Sequence, residues 1–225
     1  MIEALFPDGV VTVESTDAIS EEALHPEEAA HLGRAVEKRR REFAAGRACA
    51  RRALARLEIA DAVLPSGPDR LPAWPPGIVG SITHCAGYCG VAVARSGAIA
   101  GLGLDAEVGG ELEASLVPLV CRPSEIEAIE AIEAIEALGA LDGLTLGEAA
   151  KLVFSAKESA YKCFFPLAHR FLEFHDVEVE LRFESPIAGS FTARILRDPT
   201  PLSLLHGKFL RDDERVYTGV TLLAR

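Results

Sequence analysis

Apolar residues follow helical spacing and then alternating spacing, and this succession occurs twice along the chain. A helically spaced apolar stripe ends near Leu57, and two short apolar runs at 90–94 and 98–104 follow it as a predicted hairpin. A second helical segment ends near Pro166, because proline cannot continue a helix cleanly. Apolar residues then alternate from Val177 onward, which predicts a small antiparallel sheet. The pattern therefore predicts an α+β protein with two lobes of similar size.

We place the boundary between the lobes after residue 103. Residues 1–103 form the predicted N-terminal lobe and residues 104–225 the predicted C-terminal lobe, with the active site in the cleft between them. An Ile-Glu-Ala repeat fills residues 126–137, and its period of three drifts by about 60° per repeat on a helix. We interpret it as a surface helix without chemistry. Capping preferences predict helix starts or ends at Ser20, Ser124, Gly139 and Gly143.

Length and composition describe an ordinary globular protein. The chain has 225 residues, of which 49% are hydrophobic and 25% charged. No apolar run approaches the roughly 18 residues of a membrane span, and no leader-like segment opens the chain. We therefore expect a cytoplasmic protein without a membrane partner. The five cysteines are scattered and odd in number, which indicates reduced core thiols and not a disulfide framework.

Positive charge is concentrated in one part of an acidic chain. The net charge of −11 argues against general nucleic-acid binding. However, residues 34–56, which we call the basic segment, contain nine Lys or Arg against two Glu. Arg40, Arg47 and Arg51 fall on roughly one face of the predicted helix, and arginine side chains suit phosphate groups. The basic segment predicts a phosphate-binding surface, with a solvated arginine face as the alternative.

Two separate segments supply acidic residues in a pattern that suits a metal ion. Glu158 and Lys162 lie one helical turn apart in FSAKESAYKCF, where a solvated Glu–Lys pair is the alternative. Asp105 and Glu107 end an apolar strand in GLGLDAE, and two-residue spacing points their side chains to the same side. Three carboxylates brought together by the fold make an oxygen-ligand site that suits Mg²⁺ with phosphates.

A third segment, GIVGSITHCAGYCGVAVA, places polar side chains between two strand-like runs. Ser81, Thr83 and His84 lie where Gly80 and Gly87 permit close approach of the backbone. A single histidine in such a place is more often a packed structural residue. A glycine, a hydroxyl and a histidine at a strand end can equally hold a diphosphate, and both interpretations stay open.

Four segments carry, in this order, a resemblance to a known family: REFAAGRACARRAL, WPPGIVGSITHCAGY, GLGLDAE and LVFSAKESAYKCFFP. Together they resemble the Sfp-type 4′-phosphopantetheinyl transferases, in particular the enterobactin-synthetase-activating branch. The resemblance implies a pseudo-twofold pair of α+β lobes with coenzyme A bound between them. It also implies a Mg²⁺-dependent reaction. The phosphopantetheine arm of coenzyme A would pass to a serine of an apo acyl or peptidyl carrier protein, as in secondary metabolite biosynthesis, releasing 3′,5′-ADP.

The resemblance implies which residues are catalytic. Asp105, Glu107 and Glu158 match the magnesium-binding acids of the family, and Lys162 matches its lysine near the phosphates and leaving group. Phosphoryl transfer depends mostly on positioning and charge stabilisation, and the carrier serine needs a base within hydrogen-bond reach. Glu158 is our candidate base, directly or through a water molecule, and Asp105 and Lys162 complete the catalytic set.

The resemblance also implies a coenzyme A site. Thr83 and His84 match residues that contact the coenzyme A phosphates, together with Lys162. Arg40 and Arg47 match basic positions that hold the nucleotide end and its 3′-phosphate. The main departure from the family is the Ile-Glu-Ala repeat, in a region where relatives contact carrier proteins, so the choice of carrier stays open.

Two alternative functions compete with the transfer reaction. A catalytically inactive homologue would bind carrier proteins or coenzyme A, but the presence of all three acids and Lys162 argues against it. A coenzyme-A-dependent acyltransferase would use His84 as its base, and it would leave the three carboxylates unexplained. We expect a monomer, because two lobes within one chain already form a pseudo-dimer.

Overall fold

The computed structural model describes residues 1–17, 24–67, 69–136 and 144–224, with the backbone alone for 132–136. Its helices are α1 (Pro26–Ala29), α2 (Glu37–Arg56), α3 (Val117–Val120), α4 (Pro123–Glu136) and α5 (Leu146–Ala168). Its strands are β1 (Val10–Ser15), β2 (Ile78–Cys85), β3 (Tyr88–Arg95), β4 (Ile99–Val108), β5 (Val177–Ser185), β6 (Ala188–Ile195), β7 (Leu204–Arg211) and β8 (Arg215–Leu223). The predicted helix limits Ser20, Gly139 and Gly143 lie outside the described residues. Within the described ranges, no helix has the length and apolar character needed to cross a membrane.

Two antiparallel sheets divide the structure into two lobes with the same connectivity. The first sheet has the order β1-β3-β2, and the second has the order β4-β8-β7-β6-β5. In each sheet the first strand pairs with the last strand of its lobe. In each lobe a long helix, α2 or α5, lies in the chain between the first strand and the remaining strands. The predicted α+β fold is confirmed, and the second sheet is larger by two strands.

The first lobe contains a different hairpin from the one predicted. β3 lies between β1 and β2, and β4 pairs with β8, so the predicted hairpin of 90–94 with 98–104 is wrong. The hairpin is instead β2–β3, where Cys85 pairs with Tyr88. Gly87 has a φ of +69° in the turn between them, a conformation that favours glycine. The turn after β3 leads from one sheet to the other.

β4 belongs to the second lobe along its whole length. Its residues from Ile99 to Val108 pair with β8, with Asp105 opposite Thr218. The predicted boundary after residue 103 therefore falls inside this strand, and a boundary in the preceding turn fits the pairing better. α5 packs closely on β4, since a Cβ atom added at Gly103 would lie 1.8 Å from the carbonyl oxygen of Ser159.

α5 is the central helix of the second lobe. Thr145 caps its start, where its hydroxyl accepts from the backbone N–H of Glu148 and the Glu148 side chain accepts from the Thr145 N–H. The prediction that the helix stops at Pro166 is wrong, because α5 continues to Ala168 and ends with His169 in a left-handed conformation. Pro166 lacks the N–H that would bond to the Lys162 carbonyl and its ring crowds that carbonyl, but the helix ends two residues later, so the disruption is confined to the last turn.

α4 is anchored to the second lobe by its first turns. It begins at Pro123, so Ser124 lies inside the helix instead of capping it, and its hydroxyl donates to Glu178 Oε1 over 3.0 Å. Glu125 and Ile129 are buried. The predicted surface helix is therefore part of the core at its start.

Candidate active site

Asp105 is the centre of a polar cluster where the two lobes meet. Its side chain lies at the end of β4 and is only 3% exposed. Its Oδ1 atom accepts from Lys162 Nζ at 2.7 Å and from the Thr83 hydroxyl at 3.4 Å, and its Oδ2 atom accepts from the Ser155 hydroxyl at 2.8 Å. The cluster therefore joins β2 of the first lobe to β4 and α5 of the second.

Two hydroxyls of β2 fix the edge of β4 that has no strand partner. The Ser81 hydroxyl accepts from the backbone N–H of Leu104, and the Thr83 hydroxyl accepts from that of Ala106, each at 3.0 Å. Ser81 and Thr83 are two residues apart on a strand, so they share one face. This spacing is the sequence signal for a polar contact between the lobes.

The other two predicted acids lie within electrostatic reach of Asp105. Burial raises the pKa of Glu107 to about 7, and the charges of Asp105 and Glu158 add to this, while Lys162 and Lys151 oppose it. Burial also raises the pKa of Glu158, again with Asp105 adding and Lys162 opposing. Asp105 therefore influences the pKa of both glutamates, and a shared metal site for the three carboxylates stays a prediction.

The three carboxylates offer oxygen ligands only, which is the chemistry that Mg²⁺ prefers. Among the side chains that the structure describes, no three from His, Cys, Asp and Glu already form a metal-binding cluster. Both oxygens of Asp105 are engaged by protein donors. The pKa of Glu107 nevertheless stays raised. Lys151 and Lys162 therefore do not compensate for the burial of Glu107 and for the negative charges of Asp105 and Glu158. The donor set therefore fits a divalent cation in its chemistry.

His84 lies at the end of β2 and contacts α2. Its Nε2 atom accepts from Arg39 Nη1 at 2.8 Å, because a guanidinium can only donate. The ring proton is therefore on Nδ1, which lies 3.7 Å from Glu42 Oε2. Burial lowers the pKa of His84, and the charges of Arg39 and Lys162 lower it further, while Glu42 opposes them. His84 is thus neutral at pH 7. Sequence analysis missed Arg39 and Glu42 as its partners.

The two arginines predicted to bind the nucleotide end lie in different surroundings. Arg40 Nη1 donates to the carbonyl oxygen of Gly33 at 3.5 Å. Arg47 is only 4% exposed, and burial lowers its pKa to about 10. Its Nε atom donates to the Leu64 carbonyl oxygen at 2.6 Å, and its Nη2 atom donates to the Ser66 hydroxyl at 3.1 Å. Arg47 therefore fixes the loop after α2 to the helix.

An open pocket of about 540 Å³ is lined in part by Ser66 and Gly67 of this loop. Two bases, Arg39 and Arg70, line it together with His31. Phe43 and Ser66 also line it, and both contact Arg47, whose guanidinium lies 4.2 Å from the centre of the Phe43 ring. The pocket is suited to a phosphate or a nucleotide, and Arg47 lies behind its wall.

A larger groove of about 600 Å³ opens beside Glu158, and we call it the Glu158 groove. Its lining is Pro118, Leu119, Lys157, Glu158, Tyr161, Phe171, Leu172, Glu173, Phe174, His175 and Val177. Leu119 and Phe171 are each 64% exposed, so the groove has apolar walls open to solvent. Such a groove is suited to an extended ligand with few charges.

Two protein-family models match adjoining parts of the chain. Residues 27–94 match the 4′-phosphopantetheinyl transferase N-terminal domain, and residues 101–218 match the 4′-phosphopantetheinyl transferase superfamily. The two matches are separated by the turn between β3 and β4.

Three characterised relatives match most of the chain. It is 44% identical over 199 residues to the 4′-phosphopantetheinyl transferase Svp of Streptomyces mobaraensis, covering 87% of this chain and 76% of that protein. It is 36% identical over 203 residues to PptT of Mycobacterium tuberculosis, covering 88% and 85%. It is 33% identical over 230 residues to Npt of Nocardia iowensis, covering 98% and 99%. PptT and Npt are 4′-phosphopantetheinyl transferases as well.

Proposed function

The chain belongs to the 4′-phosphopantetheinyl transferase superfamily, and from this premise we propose how its own residues carry out the transfer. The protein moves the phosphopantetheine group of coenzyme A to a carrier protein. In this reaction the serine oxygen of the carrier bonds to the phosphorus that bears the pantetheine. The bond from that phosphorus to the bridging oxygen breaks, and 3′,5′-ADP leaves. The observation that carries the proposal is the polar cluster around Asp105.

We propose that Asp105, Glu107 and Glu158 hold Mg²⁺. The support is their oxygen-only chemistry and the raised pKa of both glutamates, which a divalent cation would reverse. When bound, the ion neutralises and orients the diphosphate of coenzyme A. The test is transfer in excess EDTA, where we expect no activity until Mg²⁺ is restored. Full activity in excess EDTA would contradict the proposal.

Glu158 and Lys162 supply the proton chemistry in this proposal. The serine of the carrier is a weak nucleophile at pH 7, and Glu158 accepts its proton. The burial that raises the pKa of Glu158 brings the base closer to the working pH. Lys162 reaches both Asp105 and the Thr83 hydroxyl, so its ammonium can donate to the departing phosphate oxygen. Thr83 and His84 contact the diphosphate from the first lobe.

The nucleotide end of coenzyme A binds in the pocket lined by Arg39 and Arg70. Both side chains line open space, and arginine forks match a phosphomonoester. Arg40 stays a candidate contact at the start of α2. Arg47 supports the pocket from behind by holding Leu64 and Ser66 in place.

The remaining features of the proposal concern the partners and the compartment. We propose a monomer that acts in the cytoplasm on an acyl or peptidyl carrier protein and does not bind nucleic acid. The support for a reducing compartment is that Cys49, Cys85, Cys89, Cys121 and Cys163 are all free thiols. The support for a monomer is that the repeated lobe connectivity already builds a two-lobed site within one chain.

Mass spectrometry of an apo carrier incubated with coenzyme A and Mg²⁺ tests the proposal. We expect the carrier to gain one phosphopantetheine, and Glu158→Gln to slow this strongly. Glu184→Gln on the exposed face of β5 is the matched control. An unchanged carrier mass across a panel of carriers would identify an inactive homologue. Transfer of only the acyl group from an acyl-coenzyme A would identify an acyltransferase.

A further inference from the structure

The two ring nitrogens of His84 decide what this residue can offer to a phosphate. Its Nε2 atom accepts from Arg39 Nη1 at 2.8 Å, so the single proton of the neutral ring is on Nδ1. Nδ1 lies 3.7 Å from Glu42 Oε2. The neutral ring therefore has no N–H group for a diphosphate, because one nitrogen accepts and the other lies beside a carboxylate.

The basic segment contains two glutamates, and they have different surroundings. Glu37 is exposed and pairs with Arg41 in the first turn of α2. The side chain of Glu42 is 22% exposed, and its Oε2 atom lies beside His84. Its Oε1 atom lies 3.9 Å from Nζ of Lys38 on the surface. Of the two glutamates, Glu42 is thus the one that contacts a site residue.

Arg39 lies between His84 and the pocket proposed for the nucleotide end. Its side chain is exposed, it donates to His84, and it lines the pocket of about 540 Å³. An exposed side chain changes rotamer within picoseconds to nanoseconds. A phosphate in the pocket attracts the guanidinium away from His84 and leaves the Nε2 lone pair open. A proton on Nε2, in turn, removes the acceptor that Arg39 needs. The two events therefore favour each other.

We propose that coenzyme A binding puts a proton on Nε2 of His84, that Glu42 holds the ring for this step, and that Arg39 moves from His84 to the nucleotide end. The inference rests on the proposed function, which places the diphosphate beside His84. The hydrogen bond from Arg39 to Nε2 breaks, an N–H bond forms there, and water or buffer supplies the proton. The imidazolium then donates from Nε2 to a diphosphate oxygen and from Nδ1 toward Glu42. Glu42 is a positioning residue, because it contacts the ring and not the ligand.

Groups from three elements face His84, and they give the sign of the pH dependence. They are Arg39 and Glu42 of α2, Lys162 of α5 and, opposite His84 on β3, Cys89. In the free protein, burial lowers the pKa of His84, and the two cations lower it further against Glu42. Cys89 adds no charge, because a hydrogen bond with Cys49 and burial raise its pKa. A bound diphosphate and the departure of Arg39 both raise the pKa of His84. Coenzyme A affinity should therefore fall as the pH rises through the pKa of the bound state.

Proton NMR of the histidine rings tests the proposal directly, because the chain has six histidines. The signal of His84 is the one missing from His84→Gln. With Mg²⁺ present throughout and at about pH 7.5, the 3′-phosphate of the ligand is already a dianion. We expect a neutral His84 ring in the free protein and a charged ring in the coenzyme A complex. Isothermal titration in buffers of different ionisation heat should show uptake of about one proton, which His84→Gln should remove.

Glu42→Gln is the test variant, and Glu37→Gln is its matched control on the same helix. Glutamine keeps an oxygen that accepts from Nδ1 but lacks the charge that stabilises the imidazolium. In the complex with Glu42→Gln, the His84 ring should charge at a pH about one unit lower, and coenzyme A should bind up to about 10-fold more weakly. Glu37→Gln should behave as the wild type. Arg39→Ala should let the ring charge at a higher pH even without ligand.

Several results would overturn the inference. A His84 ring that stays neutral in the coenzyme A complex excludes the proton uptake, and a Glu42→Gln complex that titrates like the wild type excludes the role of Glu42. An unchanged free ring in Arg39→Ala excludes the link to Arg39. The ligand 3′-dephospho-coenzyme A keeps the diphosphate and should still charge the ring; a neutral ring there would place the 3′-phosphate beside His84 instead.

Two further controls keep the test decisive. If Glu42→Gln fails to fold, Glu42→Asp replaces it, and the greater distance of its charge must also lower the pH at which the ring charges. If the wild type does not bind coenzyme A at all, the proposed function fails, whereas binding without proton uptake at His84 overturns this inference alone.

Discussion

The long helices of the two lobes carry different sets of charged residues toward the site, yet they use charged residues in the same two ways. α2 presents bases, whereas α5 presents an acid and a lysine. On each helix one charged residue is buried and holds backbone carbonyls: Arg47 in α2 and Lys157 in α5. Another residue on each helix faces the site: Arg39 in α2 and Lys162 in α5. The role of a charged residue therefore follows from the groups that accept its hydrogen bonds, and not from the residue type alone.

The two buried cations also differ in one respect. Lys157 uses all three of its N–H groups within the protein. The described hydrogen bonds of Arg47 come from Nε and Nη2, and a guanidinium has five N–H groups. Lys157 is therefore confined to positioning, whereas the guanidinium of Arg47 has further N–H groups with which it can donate to a phosphate.

Asp105→Ala should give the largest effect, because it removes the group that joins the lobes. We expect kcat/KM for transfer to fall by about 1000-fold, because Asp105 positions Lys162 and, in the proposed function, the cation that stabilises the charge of the transition state. Steady-state assays with an apo carrier measure this, and circular dichroism checks that the protein remains folded. A folded Asp105→Ala protein with near-normal transfer would contradict the role proposed for Asp105.

Two glycine substitutions compare how closely each long helix approaches its sheet. Gly103→Ala would place Cβ 1.8 Å from a backbone oxygen of α5, which cannot move easily. We expect it to lower the free energy of unfolding by about 3 kcal/mol. Gly46→Ala in α2 would place Cβ 3.1 Å from a side-chain atom of Ile82, so helix propensity offsets the contact and the change should stay within about 1 kcal/mol. Urea unfolding measures both, and equal losses would contradict this difference.

Arg39→Ala and Arg47→Ala separate direct contact from support in the first lobe. A lost charge-assisted contact should lower kcat/KM for coenzyme A by roughly 10- to 150-fold. The loss caused by Arg39→Ala and the loss caused by using 3′-dephospho-coenzyme A should not add, because each change removes the same contact between Arg39 and the 3′-phosphate. Arg47→Ala should lower the melting temperature. Its loss in kcat/KM should add to the loss caused by using 3′-dephospho-coenzyme A, because the two changes remove different interactions. Non-additivity at Arg47 would instead make it a direct ligand of the 3′-phosphate.

Salt dependence should give the smallest effect. In the proposed function coenzyme A binds at the basic segment, so its KM should rise several-fold between low and high salt. The carrier KM should rise less, because outside the basic segment the chain is strongly acidic and a contact with a carrier must depend on apolar groups. Segment 112–119 and α4 are the candidate contacts. A carrier KM that rises as steeply as that of coenzyme A would contradict this expectation.

Sequence reasoning could place the candidate acids on their strand and helix because their spacing is local. Asp105 and Glu107 share a side of β4, and Glu158 and Lys162 share a face of α5, whatever these elements pack against. It did not find the partner of β4, because β8 lies roughly 110 residues further along and the turn after β3 resembles a hairpin turn.

The roles of the basic residues could not be predicted for a similar reason. Helical spacing groups Arg40 with Arg47, but the loop at Leu64 and Ser66 decides which of the bases is buried. Lys157 is a comparable case, because a lysine is rarely buried and its partner Glu125 belongs to a segment that resembles a surface repeat.

The pairing of β4 also has a consequence for the order in which the chain folds during synthesis. The first sheet can close as soon as β3 leaves the ribosome, because all of its strands are then present. β4 must wait for β8, and a strand with two open edges invites pairing with other chains. The hydroxyls of Ser81 and Thr83 can engage one edge of β4 at once, since they belong to a hairpin that is already made. The finished first lobe would thus act as a template that shields the second until its final strand arrives.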